Sequence, residues 1–174
     1  LTGEQKEESD ELFTTLSTTV RRVKVNHEVA LISDTVGFIT KIPAYMIEAF
    51  NSTLEELLYA DIILVIIDAS DDLYELQKKF KSCYRTLIEI GVEPEKMIYV
   101  LNKSELLTDD EVLDRVDYLM LKENKKWIAI SALTGKNLDK LEKTIGKIFP
   151  NKKSQNNKNV GVKTYGNWSA KNRP

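Results

Sequence analysis

The chain has 174 residues, within the span of a single domain, and its 42% hydrophobic and 30% charged content is ordinary for a globular protein and excludes a fibrous or low-complexity chain. A formal net charge of −2 argues against nucleic-acid binding by bulk electrostatics, and a single cysteine, Cys83, excludes an internal disulfide framework and makes a reducing, cytoplasmic setting the expectation. The longest apolar run, residues 62–67, is too short to span a bilayer and residues 1–11 carry no signal-peptide core, so no membrane role is expected.

Residues 1–12 hold five acids and one lysine without periodicity and read as a solvated loop, followed by the hydroxyl-rich stretch FTTLSTT. VRRVKV (residues 20–25) and EVALIS (28–33) are β-branched runs separated by Asn26 and His27, and asparagine suits the positive φ of a tight turn, so two antiparallel strands are predicted. His27, the only histidine, is read as an exposed turn residue rather than a catalytic one. Met46, Ile47, Phe50, Leu54, Leu57 and Leu58 recur at helical spacing after Pro43 and predict a helix over about residues 43–59.

DIILVIID (61–68) is an unalternating apolar run bounded by carboxylates, the pattern of a strand buried on both faces of a parallel sheet. Leu73, Leu76, Phe80, Cys83, Tyr84, Leu87 and Ile88 then mark a helix that stops near Gly91 and Pro94. Cys83 lies on its apolar face, which reads as a structural thiol because no base is placed to activate it. Residues 97–101 form a further buried strand, TDDE (108–111) is a capping box opening a helix through Leu121, and 127–130 are another strand. Leu138, Leu141, Ile145 and Ile148 mark a last helix ending at Pro150. Alternating strands and helices define an α/β fold with a mostly parallel sheet and one antiparallel strand. Residues 1–150 are thus one domain. Residues 151–174 carry six lysines and arginines, no acid and many asparagines and glycines, and read as a basic polar tail, disordered or ordered by a partner.

In an open α/β sheet the ligand lies off the carboxyl ends of the strands, and three such ends carry polar clusters. Residues 28–33 run into Asp34, Thr35, Val36 and Gly37; residues 97–101 into Asn102, Lys103, Ser104 and Glu105; residues 127–130 into Ser131, Ala132 and Leu133. Each alone is weak, since turns and helix caps use the same residues. Together they fit a guanine nucleotide. Asp34 can hold Mg²⁺ through water while Gly37 lets a backbone N–H approach the terminal phosphate. A carboxylate at Glu105 accepts from the ring N1–H and exocyclic amine of guanine, Asn102 organises the pocket, and the Lys103 stem covers the base. Ser131 and Ala132 would back the base and give an N–H to its carbonyl oxygen, and a hydroxyl among residues 13–17 would complete the metal shell.

These motifs resemble the G domain of HflX-type GTPases, translation-factor-related members of the P-loop GTPases. The resemblance covers about residues 1–149 and is carried by LFTTLSTTVRRV (12–23), ISDTVGFITKIP (32–43), IEAFNSTLEE (47–56), NKSELL (102–107) and ISALTG (130–135). It implies a Ras-like three-layer sandwich, a switch I loop in which Phe13, Thr14, Thr15, Leu16 and Ser17 line GTP or GDP, and Thr15 joining Asp34 on Mg²⁺. It also implies a monomer whose partner is the large ribosomal subunit and its rRNA, with a role in ribosome splitting or rescue. Glu105 departs from the family's aspartate, which moves the carboxylate outward by one carbon–carbon bond. No GxxxxGK[ST] loop precedes switch I, so the first strand and the phosphate loop are missing from these residues. NVGVKT (159–164) only superficially resembles a displaced phosphate loop, because Val162 separates the glycine from the lysine. Phe38 stands where Ras-like proteins place a water-orienting glutamine, so slow intrinsic hydrolysis is expected and no catalytic residue is assigned. A nucleotide-independent ribosome- or RNA-binding module on a degenerate GTPase scaffold is the alternative.

Overall fold

A computed structural model describes residues 19–25, 28–34, 57–123, 126–148 and 160–166. Its six strands form one sheet: β1 (Thr19–Val25), β2 (Glu28–Asp34), β3 (Ile62–Asp68), β4 (Met97–Asn102), β5 (Trp127–Ala129) and β6 (Val160–Gly166), in the spatial order β1-β2-β6-β3-β4-β5. β1 and β2 are an antiparallel pair, with Val20 opposite Ser33 and Val25 opposite Glu28, as the β-branched runs predict. All other pairings are parallel, so the carboxyl ends of β2, β6, β3, β4 and β5 share one rim.

β3 and β4 are buried nearly throughout because helices cover both faces. Ile63, Val65 and Ile67 of β3 join Met97, Tyr99 and Leu101 of β4 in a core closed by Leu76, Cys83 and Leu87 of α1 (Leu73–Glu89) and Val116 of α2 (Asp109–Tyr118). The intervening residues Ile62, Leu64, Ile98 and Val100 face the other way, with Val23, Val25 and Ala30, against Leu141 and Ile145 of α3 (Leu138–Ile148). Each such buried Leu or Ile contributes about 1.5–3 kcal/mol. The result is the three-layer α/β/α arrangement expected.

α1 starts at Asp72, whose side chain accepts from the N–H groups of Tyr74 and Glu75. It ends in a Schellman turn: Gly91, at φ 91°, donates to Ile88 O, and Val92 N–H donates to Leu87 O at 2.9 Å. Thr108 and Glu111 form the predicted capping box of α2. That helix stops at Tyr118, short of the predicted Leu121, because Met120 takes a left-handed φ of 57° and closes the same kind of turn. Of the predicted helix over 43–59 only Leu57 and Leu58 are among the described residues. Cys83 is buried, and that burial pushes its thiol up to about 12, in keeping with a structural role.

The largest difference from the sequence reading is β6. Residues 160–166, expected to belong to a tail outside the sheet, lie between β2 and β3 and pair in parallel with both. The physical reason is the gap that the hairpin and β3 would otherwise share: two parallel-facing strand edges whose N–H and C=O groups need a partner. The central position, expected to be vacant for want of a first strand, is filled from the chain's own C-terminal region. The same placement puts Gly161, Lys163 and Thr164 in a strand, not in a phosphate loop.

Candidate functional site

Parallel pairing sets Asp68, the last residue of β3, beside Asn102, the last residue of β4, and sets Asp34, the last residue of β2, beside Thr164 of β6. β5 leads through Ile130 to Ser131 at the same rim. The polar clusters picked out at the ends of β2, β4 and β5 are therefore brought to one edge of the sheet. Phe13, Thr14, Thr15, Leu16, Ser17, Thr35, Val36 and Gly37 lie outside the described residues, as does the side chain of Asp34.

The described half of the site is built on Asn102. Its Oδ1 accepts from Ala132 N–H at 2.9 Å, tying the end of β4 to the turn after β5. A second tie runs from Ser104 N–H to Ile130 O at 3.1 Å. Lys103 adopts a left-handed conformation, φ 63° and ψ 31°, and Ser104–Leu106 then form a short 3-10 turn. This reversal brings three consecutive polar residues to one place. Ser104 is buried, and neither its Oγ nor the buried Oε2 of Glu105 has a hydrogen-bond partner. A buried carboxylate oxygen without a donor is costly unless a ligand supplies one.

Lys103 Nζ forms an ion pair with Asp68 at 2.7 Å. Asp68 also accepts from Ser70 N–H at 3.0 Å and Ser70 Oγ at 2.6 Å. Burial pushes the Asp68 carboxyl up, but the hydrogen bonds from Lys103 and Ser70 outweigh it and hold its pKa below the usual carboxylate value. The loop carrying Asp68 is fixed in turn: Ala69 N–H donates to Asn102 O at 2.9 Å, Arg115 Nε of α2 donates to Ala69 O, and Lys79 pairs with Asp71 at 2.7 Å. Sequence reasoning missed Asp68. Its position as the polar last residue of a buried strand on the ligand rim was the available signal, but a lone carboxylate there has many readings.

The turn after β5 differs in detail from expectation. Ser131 is fully buried, and its Oγ accepts from Thr134 N–H at 3.0 Å while its O accepts from Gly135 N–H at 2.9 Å. Gly135, at φ 82°, closes that turn. Ser131 thus shapes the loop from inside. The Ala132 N–H, expected to face a base carbonyl, is engaged by Asn102, and Leu133 is 80% exposed beside it.

An α/β sheet with one antiparallel hairpin, and a rim assembled from Asp34, the Asn102–Glu105 turn and the Ser131–Leu133 turn, define the fold class of the P-loop GTPases. Residues 1–103 match the family described as 50S ribosome-binding GTPase. The chain belongs to that family and is a G domain of the HflX type. It is 39% identical over 148 residues to GTPase HflX of Methanocaldococcus jannaschii, covering 83% of this chain and 36% of that protein. GTPase HflX of Thermococcus kodakarensis is 38% identical over 116 residues, which are 67% of this chain and 26% of that protein. The chain thus spans about a third or less of the length of these relatives.

Among solved structures, a GTP-binding protein from Sulfolobus solfataricus in complex with GDP superposes with a TM-score of 0.66 at 29% identity, over 75% of this chain and 43% of that one. Era in complex with MgGDPNP and a segment of 16S ribosomal RNA gives 0.60 at 26% identity, over 86% of this chain and 50% of that one.

Proposed function

We propose that this chain binds GTP and GDP on the rim described above and belongs to a GTPase that hydrolyses GTP to GDP and phosphate as a ribosome-associated switch. The observation that carries the reading is the Glu105 Oε2 acceptor, buried and unpartnered beside a turn already organised by Asn102. Guanine presents an N1–H and an exocyclic amine side by side, which is the donor pair such a carboxylate lacks; adenine has no equivalent pair on that edge. Asn102 acts as a positioning residue through Ala132, and the Lys103 stem, its ammonium held by Asp68, flanks the base.

Mg²⁺ is the cofactor this reading requires. Asp34 and Thr15 would hold it, hard oxygen donors of the kind Mg²⁺ prefers alongside phosphate and water. No group of three or more His, Cys, Asp or Glu side chains occurs among the described residues, which suits an ion held largely by nucleotide oxygens and water. When bound, it neutralises charge developing on the phosphates. Phe38 cannot orient water by hydrogen bonding, so turnover depends on groups contributed elsewhere. The partner is the large ribosomal subunit, reached by a monomer in the cytoplasm, with ribosome splitting or rescue as the outcome. No helix among the described residues is long and apolar enough to cross a membrane.

Calorimetric titration of the chain with GDP and ADP tests the base site. GDP binding at least tenfold tighter than ADP is expected, and Glu105→Gln should abolish that preference while favouring xanthosine diphosphate, whose C2 carbonyl accepts from the new amide. Equal affinity for GDP and ADP, insensitive to Glu105→Gln, would sink the guanine assignment.

A further inference from the structure

The central position of the sheet is held by the strand least suited to it. β6 reads VGVKTYG, and its register sets Val162 beside Ile32 and Ile62, Lys163 beside Ser33 and Ile63, Thr164 beside Asp34 and Leu64, Tyr165 beside Val65, and Gly166 beside Ile66. Along β3 these neighbours alternate between the two cores: Ile63 and Val65 belong to the layer under α1 and α2, Ile62 and Leu64 to the layer under α3. A strand in this slot therefore meets apolar layers in both of its register rows. The native strands beside it meet that demand with IILVIID and MIYVLN. β6 meets it with two glycines, which weaken a strand interior, and with a lysine in the row of the fully buried Ile63.

We propose that the channel between β2 and β3 is a strand-acceptor site, held reversibly by β6, whose preferred occupant is an extended seven-residue apolar, β-branched segment. That segment runs parallel to both neighbours and displaces β6. Affinity comes from the two parallel ladders offered by residues 30–34 of β2 and 62–66 of β3, which any backbone can use; selectivity comes from the apolar requirement on both rows. A second copy of this chain is not the favoured occupant, because its β6 brings the same Gly161, Lys163 and Gly166 and gains nothing over the resident strand. Residues 149–159 separate β6 from α3, so β6 can leave the slot while the rest of the chain stays folded.

The probe is a fluorescent peptide with the core Val-Ala-Leu-Ile-Val-Val-Ile and lysines at both ends, titrated into the full 174-residue chain and followed by anisotropy and amide hydrogen exchange. Saturable one-to-one binding is expected, with loss of exchange protection at Val160–Gly166, and no binding of a version with proline at the core's centre. Lys163→Val makes β6 a better occupant and should weaken the peptide about tenfold, whereas Val162→Lys makes β6 poorer and should tighten it. Absence of saturable binding, affinity indifferent to both substitutions, or retained protection of β6 in the complex would overturn the proposal. So would a dimer that exchanges β6 between copies in place of peptide binding.

Discussion

Asp68 and Glu105 are two carboxylates at one rim with opposite situations. Asp68 is ion-paired to Lys103 and hydrogen-bonded to Ser70, whereas Glu105 Oε2 is buried without a donor. The first is spent on the protein's own structure and the second is left for a ligand. Asp68→Asn is expected to cost about 1–2 kcal/mol, between the values for exposed and buried pairs, and to weaken GDP binding through a loosened Lys103. Because the folded-state pKa of Asp68 lies below its unfolded value, the stability it adds is complete above the unfolded pKa near 3.8 and is lost as pH falls through the folded value. Chemical denaturation between pH 6 and about pH 2–3 should thus show a steeper loss on acidification for the wild type than for Asp68→Asn. Identical slopes would mean that the pair contributes nothing to folding.

The elements that were legible in the sequence are those whose pattern is local. β3 and β4 announce themselves by unbroken apolar runs, α1 by its 3.6-residue periodicity, and α2 by a capping box that needs only residues 108–111. The end of α2 was not legible, since a methionine is not a stop signal. Yet Met120, 87% exposed at φ 57°, carries the strain of a turn that glycine ordinarily makes. Met120→Gly should relieve the left-handed cost of about 1–2 kcal/mol at some loss of unfolded-state entropy. A net gain of about 0.5–1 kcal/mol is expected, raising Tm by about 1–4 °C, and a lower Tm would contradict the turn assignment. Thr108→Ala, at the other end of the same helix, removes the acceptor for Glu111 N–H and should cost about 1 kcal/mol in the same assay. The site was legible in the same local sense. The Asn102–Glu105 and Ser131–Leu133 clusters were found by position after a strand, but the Asn102–Ala132 and Lys103–Asp68 contacts join residues 30 and 35 positions apart, and no spacing rule reaches that far.

At the scale of the whole molecule β6 decides whether there is one sheet or two. VGVKTYG has no pattern that distinguishes a strand from a polar tail, and its place follows only from the edges that β2 and β3 present after the rest has folded. The β1–β2 hairpin has no other hydrogen-bonded neighbour in the sheet; apart from β6 it is held by packing of Val23, Val25 and Ala30 against Leu141 and Ile145 of α3. A two-stranded ribbon is marginal in water, whereas β3, β4 and β5 keep their ladders and the core under α1 and α2. Removing residues 160–174 should therefore not unfold the chain uniformly. Amides of Ala30 and Ile32 are expected to lose hydrogen-exchange protection at low denaturant, while those of Ile98 and Val100 keep theirs until global unfolding. Uniform loss across both groups would show that β6 supports the entire domain, and unchanged protection of the hairpin would show that α3 alone suffices to hold it. Either result would remove β6 from its role as the joint between the Asp34 side of the rim and the Asn102 side, the two halves between which the nucleotide phosphates and base must be divided.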